Sequence, residues 1–206
     1  MILGALLDAG LPLEDLRRAL GGLAVDRDAV WTERVSRAGI GATKFHVRGE
    51  EPPLDRADDQ ERQDLSGSSH RHAAVASHRR ASDGSDSTET AHRHSHRTLS
   101  DVERLIDGSA VSPRAKQRAK ALFGRLAEAE AAIHGTAIDS VHLHEVGELD
   151  SIIDIDGTVY ALEALGVERV TASPLNVGSG SVRSAHGLYP VPAPATTCLL
   201  MGVPIY

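Results

Sequence analysis

The chain has 206 residues, of which 41% are hydrophobic, so it is long enough for one domain with its own core or for two small ones. A net charge of −7 and an aromatic content of 3% argue against a general nucleic-acid binder and against stacking platforms for single strands. A single cysteine, Cys198, excludes an intramolecular disulfide and is typical of a reducing compartment, so we expect a cytoplasmic protein.

The chain opens with an apolar segment that predicts two short helices. The first covers residues 2–9 and is stopped by Gly10, and Pro12 opens a second that ends at Gly21. No basic region precedes the apolar segment and acidic residues follow it closely, so the sequence indicates neither a signal peptide nor a membrane span.

Strand-forming residues follow the two helices. Residues 30–35 and 43–47 are rich in β-branched side chains and flank the glycine pair at 39–41, which predicts two strands joined by a glycine turn. Residues 1–49 are therefore expected to form the N-terminal α/β part of one domain.

The composition changes completely between residues 50 and 97. Asp, Glu, Arg, Ser and His replace nearly all large apolar residues, so this segment cannot bury enough surface to order itself. The sequence predicts a disordered, His-rich loop inserted into the domain. Its six histidines are candidate metal ligands: His70, His72, His78, His92, His94 and His96.

The spacing of these histidines favours metal binding. In an extended chain residues i, i+2 and i+4 point the same way, so the run HRHSH brings three imidazoles to one side. Imidazole suits nickel, zinc or copper, and a flexible tract without sulfur ligands should select poorly among them and release its ion in mild acid. The alternative is a polar low-complexity linker with accidental histidines.

Residues 98–206 are expected to continue the domain with helical and α/β elements. Ser100 and Glu103 have the spacing of a capping box, which predicts a short helix that ends near Gly108.

A longer helix is predicted directly afterwards. Ser112 supplies an N-cap and Pro113 suits the first turn. The alanine-rich run that follows extends to about His134 and should end at Gly135.

The remaining segments alternate in type. Residues 139–146 are expected to be extended, 149–165 helical and 169–172 a strand, followed by a Gly/Ser-rich turn at 176–180 and a short helix within 194–202. The predicted fold class is a mixed α/β layer of helices and short strands.

One candidate site is the segment VHLHEVG at 141–147. If residues 141–144 are extended, Val141 and Leu143 face the core, while His142 and His144 share the opposite face about 6 to 7 Å apart.

Three carboxylates follow these two histidines. Glu145 is adjacent in sequence, and Asp150 and Asp154 are four residues apart on the next predicted helix, so they share one of its faces. Imidazoles and carboxylates together can bind a divalent metal, hold a phosphate with Mg²⁺ or Mn²⁺, or transfer protons. The alternative is edge-strand histidines beside a solvated acidic helix face.

A second candidate site is the glycine-rich segment around residues 178–187. Small residues such as Ser179 leave backbone N–H groups open to an anion, and Arg183 and His186 could add charge. The alternative is a plain β-hairpin, because a G-x-G pattern without a following lysine or a Rossmann context is not a nucleotide fingerprint.

Three segments, in this order, resemble the LarC family of nickel-insertion proteins: LGALLDAG, HLHEVGELDSIIDI and ASPLNVGSGSVRSAHGLYPVPAPATTCLLMGVPIY. The resemblance spans nearly the whole predicted ordered chain, and the family also carries a variable His-rich loop between the same two halves. It implies the insertion of nickel into pyridinium-3,5-bisthiocarboxylic acid mononucleotide, which gives the nickel-pincer nucleotide of lactate racemase and related enzymes.

The resemblance also implies a class of enzyme and its cofactors. Family members are chelatases of the lyase class, and they consume CTP with a divalent metal such as Mn²⁺ or Mg²⁺. On this chain the loop histidines would gather nickel, and the HLHE segment with the two aspartates would line the catalytic site. Ser179, Arg183 and His186 would contact the phosphate of the nucleotide.

The sequence departs from the family in three respects. Family members usually begin upstream with a strand and a Gly-Asp loop, and they continue past Tyr206 into a domain associated with CTP binding, so we expect a separately encoded C-terminal piece as a partner. Asp156 falls in the apolar stripe of its helix, where the family commonly has an apolar residue. A buried carboxylate is costly unless it is paired, so it either pairs locally or marks a relaxed copy.

Two further hypotheses stay open at this point. One is a nickel or zinc storage and delivery module in which the loop binds metal and no reaction occurs, and the other is an inactive truncated copy. A homo-oligomer is compatible with the sequence, while nucleic-acid and membrane partners are not expected.

Overall fold

The computed structural model describes residues 1–23, 26–48, 97–184 and 187–206, which belong to one compact unit. Its helices are α1 (Ile2–Asp8), α2 (Leu13–Leu20), α3 (Leu99–Gly108), α4 (Pro113–His134), α5 (Leu149–Ala164) and α6 (Pro194–Leu199). Its strands are β1 (Val30–Arg37), β2 (Ile40–Val47), β3 (Arg97–Thr98), β4 (His142–Leu143), β5 (Ser181–Ser184) and β6 (Gly187–Pro190). The strands pair antiparallel as β1–β2, β3–β4 and β5–β6, so the predicted mixed α/β class is confirmed.

The two N-terminal helices are as predicted. Gly10 has a φ of +111°, a value that favours glycine, and it ends the first helical segment. Pro12 is the N-cap of α2, one position before the helix, and Gly21 is its C-cap. Both helices contribute to the core, α1 through Leu3 and α2 through Leu16.

The predicted strand pair is confirmed as an antiparallel hairpin. Its register runs from Val30 opposite Val47 to Arg37 opposite Ile40. The turn is formed by Ala38 and Gly39, which both have positive φ, of 50° and 78°. Such a two-residue turn matches the right-handed twist of the strands.

The predicted insertion lies outside the described residues except at its end. Its six histidines are not among the described residues, but Arg97 lies in β3 and pairs with Leu143 of β4.

The capping box of α3 is not the one predicted. Thr98 is the N-cap, and its side chain accepts from the backbone N–H of Asp101, while the Asp101 carboxylate accepts from the backbone N–H of Thr98 at 3.0 Å. The prediction of Ser100 with Glu103 was wrong by two residues, because pairing of β3 with β4 keeps Thr98 extended and starts the helix at Leu99.

The long helix α4 confirms the prediction. The Ser112 hydroxyl accepts from the backbone N–H of Ala115 at 3.0 Å, and Pro113 occupies the first turn. Gly135 is left-handed and closes the helix, as glycine at this position usually does.

Two predicted extended segments are wrong. Within residues 139–146 only His142–Leu143 forms a strand, because 3-10 turns flank it on both sides, at Ile138–Ser140 and Glu145–Gly147. Residues 169–172 form no strand, since they are exposed and no described strand pairs with them. A segment becomes a strand only when a neighbour satisfies its backbone groups.

The core lies where the helices α1 to α5 meet. Phe123 of α4 is its largest fully buried side chain, and it is joined by Leu3, Leu16, Ile106, Leu143, Ile152 and Ile153. No described helix has both the length and the apolar content that a bilayer span requires.

The C-terminal segment is more exposed than this core. Leu175 and Ile205 form an isolated parallel bridge, in which the Leu175 N–H donates to the Pro204 carbonyl at 3.0 Å and the Tyr206 N–H donates to the Leu175 carbonyl at 3.0 Å. Large apolar side chains such as Val170, Leu188 and Met201 are exposed here.

Candidate active site

A cavity of about 290 Å³ opens between the C-terminal half of α4, the segment 144–146, the β5–β6 hairpin and α6. Its apolar wall includes Leu126, Val146 and Leu199. Six polar side chains line it: Glu130, His134, His144, Arg183, Tyr189 and Thr196. The cavity thus combines an apolar surface with two imidazoles and one guanidinium.

The short strand β4 brings His144 to this cavity. Val141 and Leu143 are buried, whereas His142 is exposed and His144 is half-buried, so the side chains alternate as the sequence predicts. The ring centroids of His142 and His144 lie 6.5 Å apart, within the predicted range of about 6 to 7 Å.

Arg97 holds the turn that follows His144. Its guanidinium donates to the carbonyl oxygen of Gly147 at 2.7 Å, across 50 residues of sequence. A side chain on Gly147 would meet Leu143 and Arg97, so this close approach requires glycine. The turn is therefore fixed from both sides of the β3–β4 pair.

Two residues that line the cavity, His134 and Glu130, were not predicted as site residues. They lie on the last two turns of α4, and Nε2 of His134 is 3.5 Å from Oε2 of Glu130. Their side chains are 26% and 21% exposed. The signal that could have found them is their i, i+4 spacing on a helix whose two ends the sequence predicts, because this spacing places the two side chains together.

The β5–β6 hairpin brings Arg183 to the cavity. In this hairpin Val182 pairs with Tyr189, and Arg183 pairs with Leu188. The side chains of Val182, Arg183 and Tyr189 line the cavity. The plain hairpin that the sequence offered as an alternative is therefore present, and one of its strands carries the predicted arginine.

The other predicted site residues stand apart from the cavity or outside the described residues. His142 is adjacent to His144 but does not line the cavity, and neither do Asp150, Asp154 and Ser179. His186 lies outside the described residues, as does the side chain of Glu145.

Within the described ranges, no group of three or more His, Cys, Asp or Glu side chains could enclose a metal ion. The two predicted aspartates of α5 form no such group. Asp150 accepts a hydrogen bond from the backbone N–H of Ser151 at 2.6 Å, and Asp154 is exposed. Any metal in the cavity would therefore need ligands besides the described protein side chains.

Asp156 is buried on α5 and lies away from the cavity. It is 0% exposed, and neither of its carboxylate oxygens has a hydrogen-bond partner. Burial raises the pKa of Asp156 to about 6, and the nearby Ser109 hydroxyl and Lys116 ammonium offset this only in part. The two alternatives that the sequence left open, local pairing or a relaxed copy, therefore stay open: Lys116 and Ser109 lie close enough to lower the pKa, while neither carboxylate oxygen has a hydrogen-bond partner of good geometry.

Comparison with known proteins identifies the family. The family model described as nickel insertion protein matches residues 1–205. The chain belongs to the nickel insertion protein family. The LarC resemblance seen in the three sequence segments is thereby confirmed.

Curated relatives match the chain from end to end. It is 41% identical over 206 residues to the pyridinium-3,5-bisthiocarboxylic acid mononucleotide nickel insertion protein of Desulfitobacterium hafniense, strain DCB-2, covering 100% of this chain and 41% of that protein. It is 38% identical over 205 residues to the protein of the same name from Geobacillus kaustophilus, covering 42% of it. The chain thus spans about two fifths of the length of these relatives. No solved structure matches the chain.

Proposed function

We propose that this chain carries the substrate-binding region of a nickel chelatase of the lyase class. The reaction is the insertion of Ni²⁺ into pyridinium-3,5-bisthiocarboxylic acid mononucleotide, which gives the nickel-pincer nucleotide cofactor of lactate racemase. The observation that carries the proposal is the cavity, where two imidazoles and a guanidinium line an apolar pocket in a chain whose relatives are named for this substrate.

The cavity suits the parts of such a nucleotide. A mononucleotide carries a phosphate, and Arg183 is the one cation among the six polar lining residues that is always charged, so it pairs with the phosphate. The flat pyridinium ring packs against the apolar wall formed by Leu126, Val146 and Leu199. The thiocarboxylates then lie toward the imidazole side of the cavity, at His144.

The remaining predicted residues keep supporting roles in this proposal. His142, Glu145, Asp150 and Asp154 stay predicted site residues, which would assist the capture of metal or the transfer of a proton. Ser179 and His186 stay predicted contacts to the nucleotide from the family resemblance alone. The six loop histidines stay predicted nickel ligands that would gather the ion for insertion.

CTP and its divalent ion, Mn²⁺ or Mg²⁺, stay predictions of the family resemblance. No described group of three or more ligating side chains fits such an ion, so we assign no step of the reaction on this chain to it. The cytoplasmic location is likewise a proposal, and the single cysteine, Cys198, supports it.

A separately encoded C-terminal piece of the longer family protein is the proposed partner. Exposed apolar side chains of the C-terminal segment, among them Val170, Met201 and Tyr206, provide a surface for it. Sedimentation of the chain alone, and mixed with the remaining three fifths of a relative, tests this partner against a homo-oligomer.

Calorimetric titration with the mononucleotide tests the proposed substrate site. We expect the chain to bind the nucleotide, and R183Q to raise its Kd by about 10- to 100-fold, because a charge-assisted hydrogen bond contributes about 1.5 to 3 kcal/mol. R169Q is the matched control, since Arg169 is exposed and does not line the cavity.

The outcome also separates the proposed function from its alternatives. If the chain binds no nucleotide and loses all nickel when its loop histidines are replaced, it is a metal storage and delivery module. If it binds neither nucleotide nor nickel, it is an inactive copy. If R183Q and R169Q bind the nucleotide equally well, the phosphate is not held at Arg183.

A further inference from the structure

His134 and His144 both line the cavity, and their rings lie close together although the two residues belong to different parts of the chain. Their ring centroids are 6.1 Å apart and the ring planes are tilted by 56°. We infer that His134 and His144 form a two-imidazole site that holds Ni²⁺ inside the cavity until the thiocarboxylate sulfurs of the mononucleotide take it. This inference rests on the proposed function, which supplies the nucleotide.

The separation of the rings suits a shared ion. A metal bound to an imidazole nitrogen at about 2.1 Å lies about 3.2 Å from the ring centroid, so two imidazoles on one ion have centroids about 4.5 to 6.4 Å apart. The pair His134 and His144, at 6.1 Å, falls inside this range. The pair His142 and His144, at 6.5 Å, lies at the upper end of this range, but His142 is exposed and does not line the cavity.

Glu130 supports His134 as a ligand. Its Oε2 lies 3.5 Å from Nε2 of His134, and both side chains are mostly buried. A carboxylate beside a ligating imidazole orients the ring and raises its basicity. The negative charge also favours a divalent cation in a cavity whose other charged lining residue, Arg183, repels it.

A site with only two protein ligands suits the transfer of Ni²⁺ from the protein to the nucleotide. No third ligating side chain completes a cage among the described residues, so several positions on the ion are open to the substrate. Sulfur is a softer ligand than imidazole, and the two thiocarboxylates can therefore displace the histidines. The phosphate neutralises Arg183 when the nucleotide binds, so we expect Ni²⁺ to bind more tightly with the nucleotide present.

The test uses the full chain in which serine replaces the six loop histidines, and this variant is called the silenced chain. Its substitutions are H70S, H72S, H78S, H92S, H94S and H96S. Titration with NiCl₂ should show one Ni²⁺ per chain at neutral pH. H134N and H144N should each raise the Kd by at least about 10-fold, and E130Q by about 10-fold.

His46 provides the matched control. It is an imidazole with a carboxylate neighbour, Glu33, at 3.1 Å, but it stacks on Trp31 and does not line the cavity. H46N should leave the Kd unchanged. Unchanged binding in H134N, a loss in H142N without a loss in H134N, or no bound Ni²⁺ in the silenced chain would overturn the inference.

A second measurement avoids dependence on the folding of the variants. Substoichiometric Ni²⁺ should broaden the ring NMR signals of His134 and His144 in the silenced chain before those of His46. Broadening of His46 first, or of all three rings equally, contradicts the proposed site.

The failure of this inference can be told apart from the failure of the proposed function. If the silenced chain binds Ni²⁺ through His134 but no mononucleotide, the imidazole site stands and the proposed function fails. If the mononucleotide binds and H134N changes neither the Kd for Ni²⁺ nor its tightening by the nucleotide, the imidazole site alone is wrong.

Discussion

Asp156 is buried beside Ser109, but the Ser109 hydroxyl donates its hydrogen bond to the carbonyl oxygen of Ile106, at 2.9 Å, and not to the carboxylate. Ala19, Ala115 and Val159 form a buried apolar cluster on α2, α4 and α5. Lys116 is the cation whose charge lowers the pKa of Asp156, but it does not offset the effect of burial. The carboxylate therefore lies in the interior without a hydrogen bond, and its charge is costly there.

The unfolding free energy should fall as the pH rises from 4 to above 6. The pKa of Asp156 is about 6 in the folded protein, whereas an unburied aspartate, as in the unfolded chain, has a pKa of 3.8. Between these two pH values the folded protein therefore binds the proton more tightly than the unfolded chain does. A difference of about two pKa units corresponds to about 3 kcal/mol, lost in full above the folded pKa. Because the carboxyl of the unfolded chain is already mostly ionised at pH 4.5, urea unfolding at pH 4.5 and at pH 7 should differ by about 2 kcal/mol of this total.

D156N should remove most of that pH dependence and be more stable than the unchanged protein at pH 7. D154N is the control, because Asp154 is exposed two residues earlier on the same helix. An unfolding free energy that depends equally on pH in the unchanged protein and in D156N contradicts the prediction.

T98A should lower the unfolding free energy by about 1 kcal/mol, the usual cost of losing an N-cap side chain. The Thr98 hydroxyl donates to the Asp101 carboxylate at 2.7 Å and accepts from the Asp101 N–H. E103A should change the unfolding free energy by a few tenths of a kcal/mol only, since Glu103 is not part of the capping box. Chemical denaturation measures the unfolding free energy of both variants. An equal loss in T98A and E103A would contradict the Thr98–Asp101 capping box and support the one predicted from the sequence.

G4A should destabilise the protein by about 1 to 3 kcal/mol, the cost of overpacking. A Cβ on Gly4 would overlap the carbonyl oxygen of Thr43, so α1 would have to move away from β2. G124A on α4 is the control, because no atom lies within 4 Å of its added Cβ. It should stabilise α4 by about 0.5 to 1 kcal/mol, and a thermal melt of both variants checks the opposite signs.

R97M should lower the unfolding free energy by about 1 to 2 kcal/mol and speed amide exchange in residues 145–147. The part-buried hydrogen bond from Arg97 to the Gly147 carbonyl is lost, and this turn follows His144 in the cavity wall. R104M is the control, because Arg104 forms an exposed pair with Asp101 that contributes little. Hydrogen exchange that is unchanged in R97M would show that the turn is held by other contacts.

Local chemistry explains why much of the fold was predictable. Ser112, Pro113 and Gly135 bound α4 through contacts within one helical turn, so the sequence alone places both ends. The capping box failed for a related reason: the choice between Thr98 and Ser100 depends on β3 pairing with β4, whose residues lie more than 40 positions away. The same non-local condition excluded a strand at residues 169–172.

The candidate site likewise has features that the sequence alone determines and features that only the tertiary structure decides. Alternation along a strand depends only on backbone geometry, so the sequence by itself determined that His142 and His144 share a face and lie about 6 to 7 Å apart. Only the tertiary structure decides that His134 lies close to His144, because the end of α4 has to pack beside the turn after β4. The burial of Asp156 without a hydrogen bond is also tertiary, since helix periodicity shows which way a side chain points but not which groups of other helices meet it.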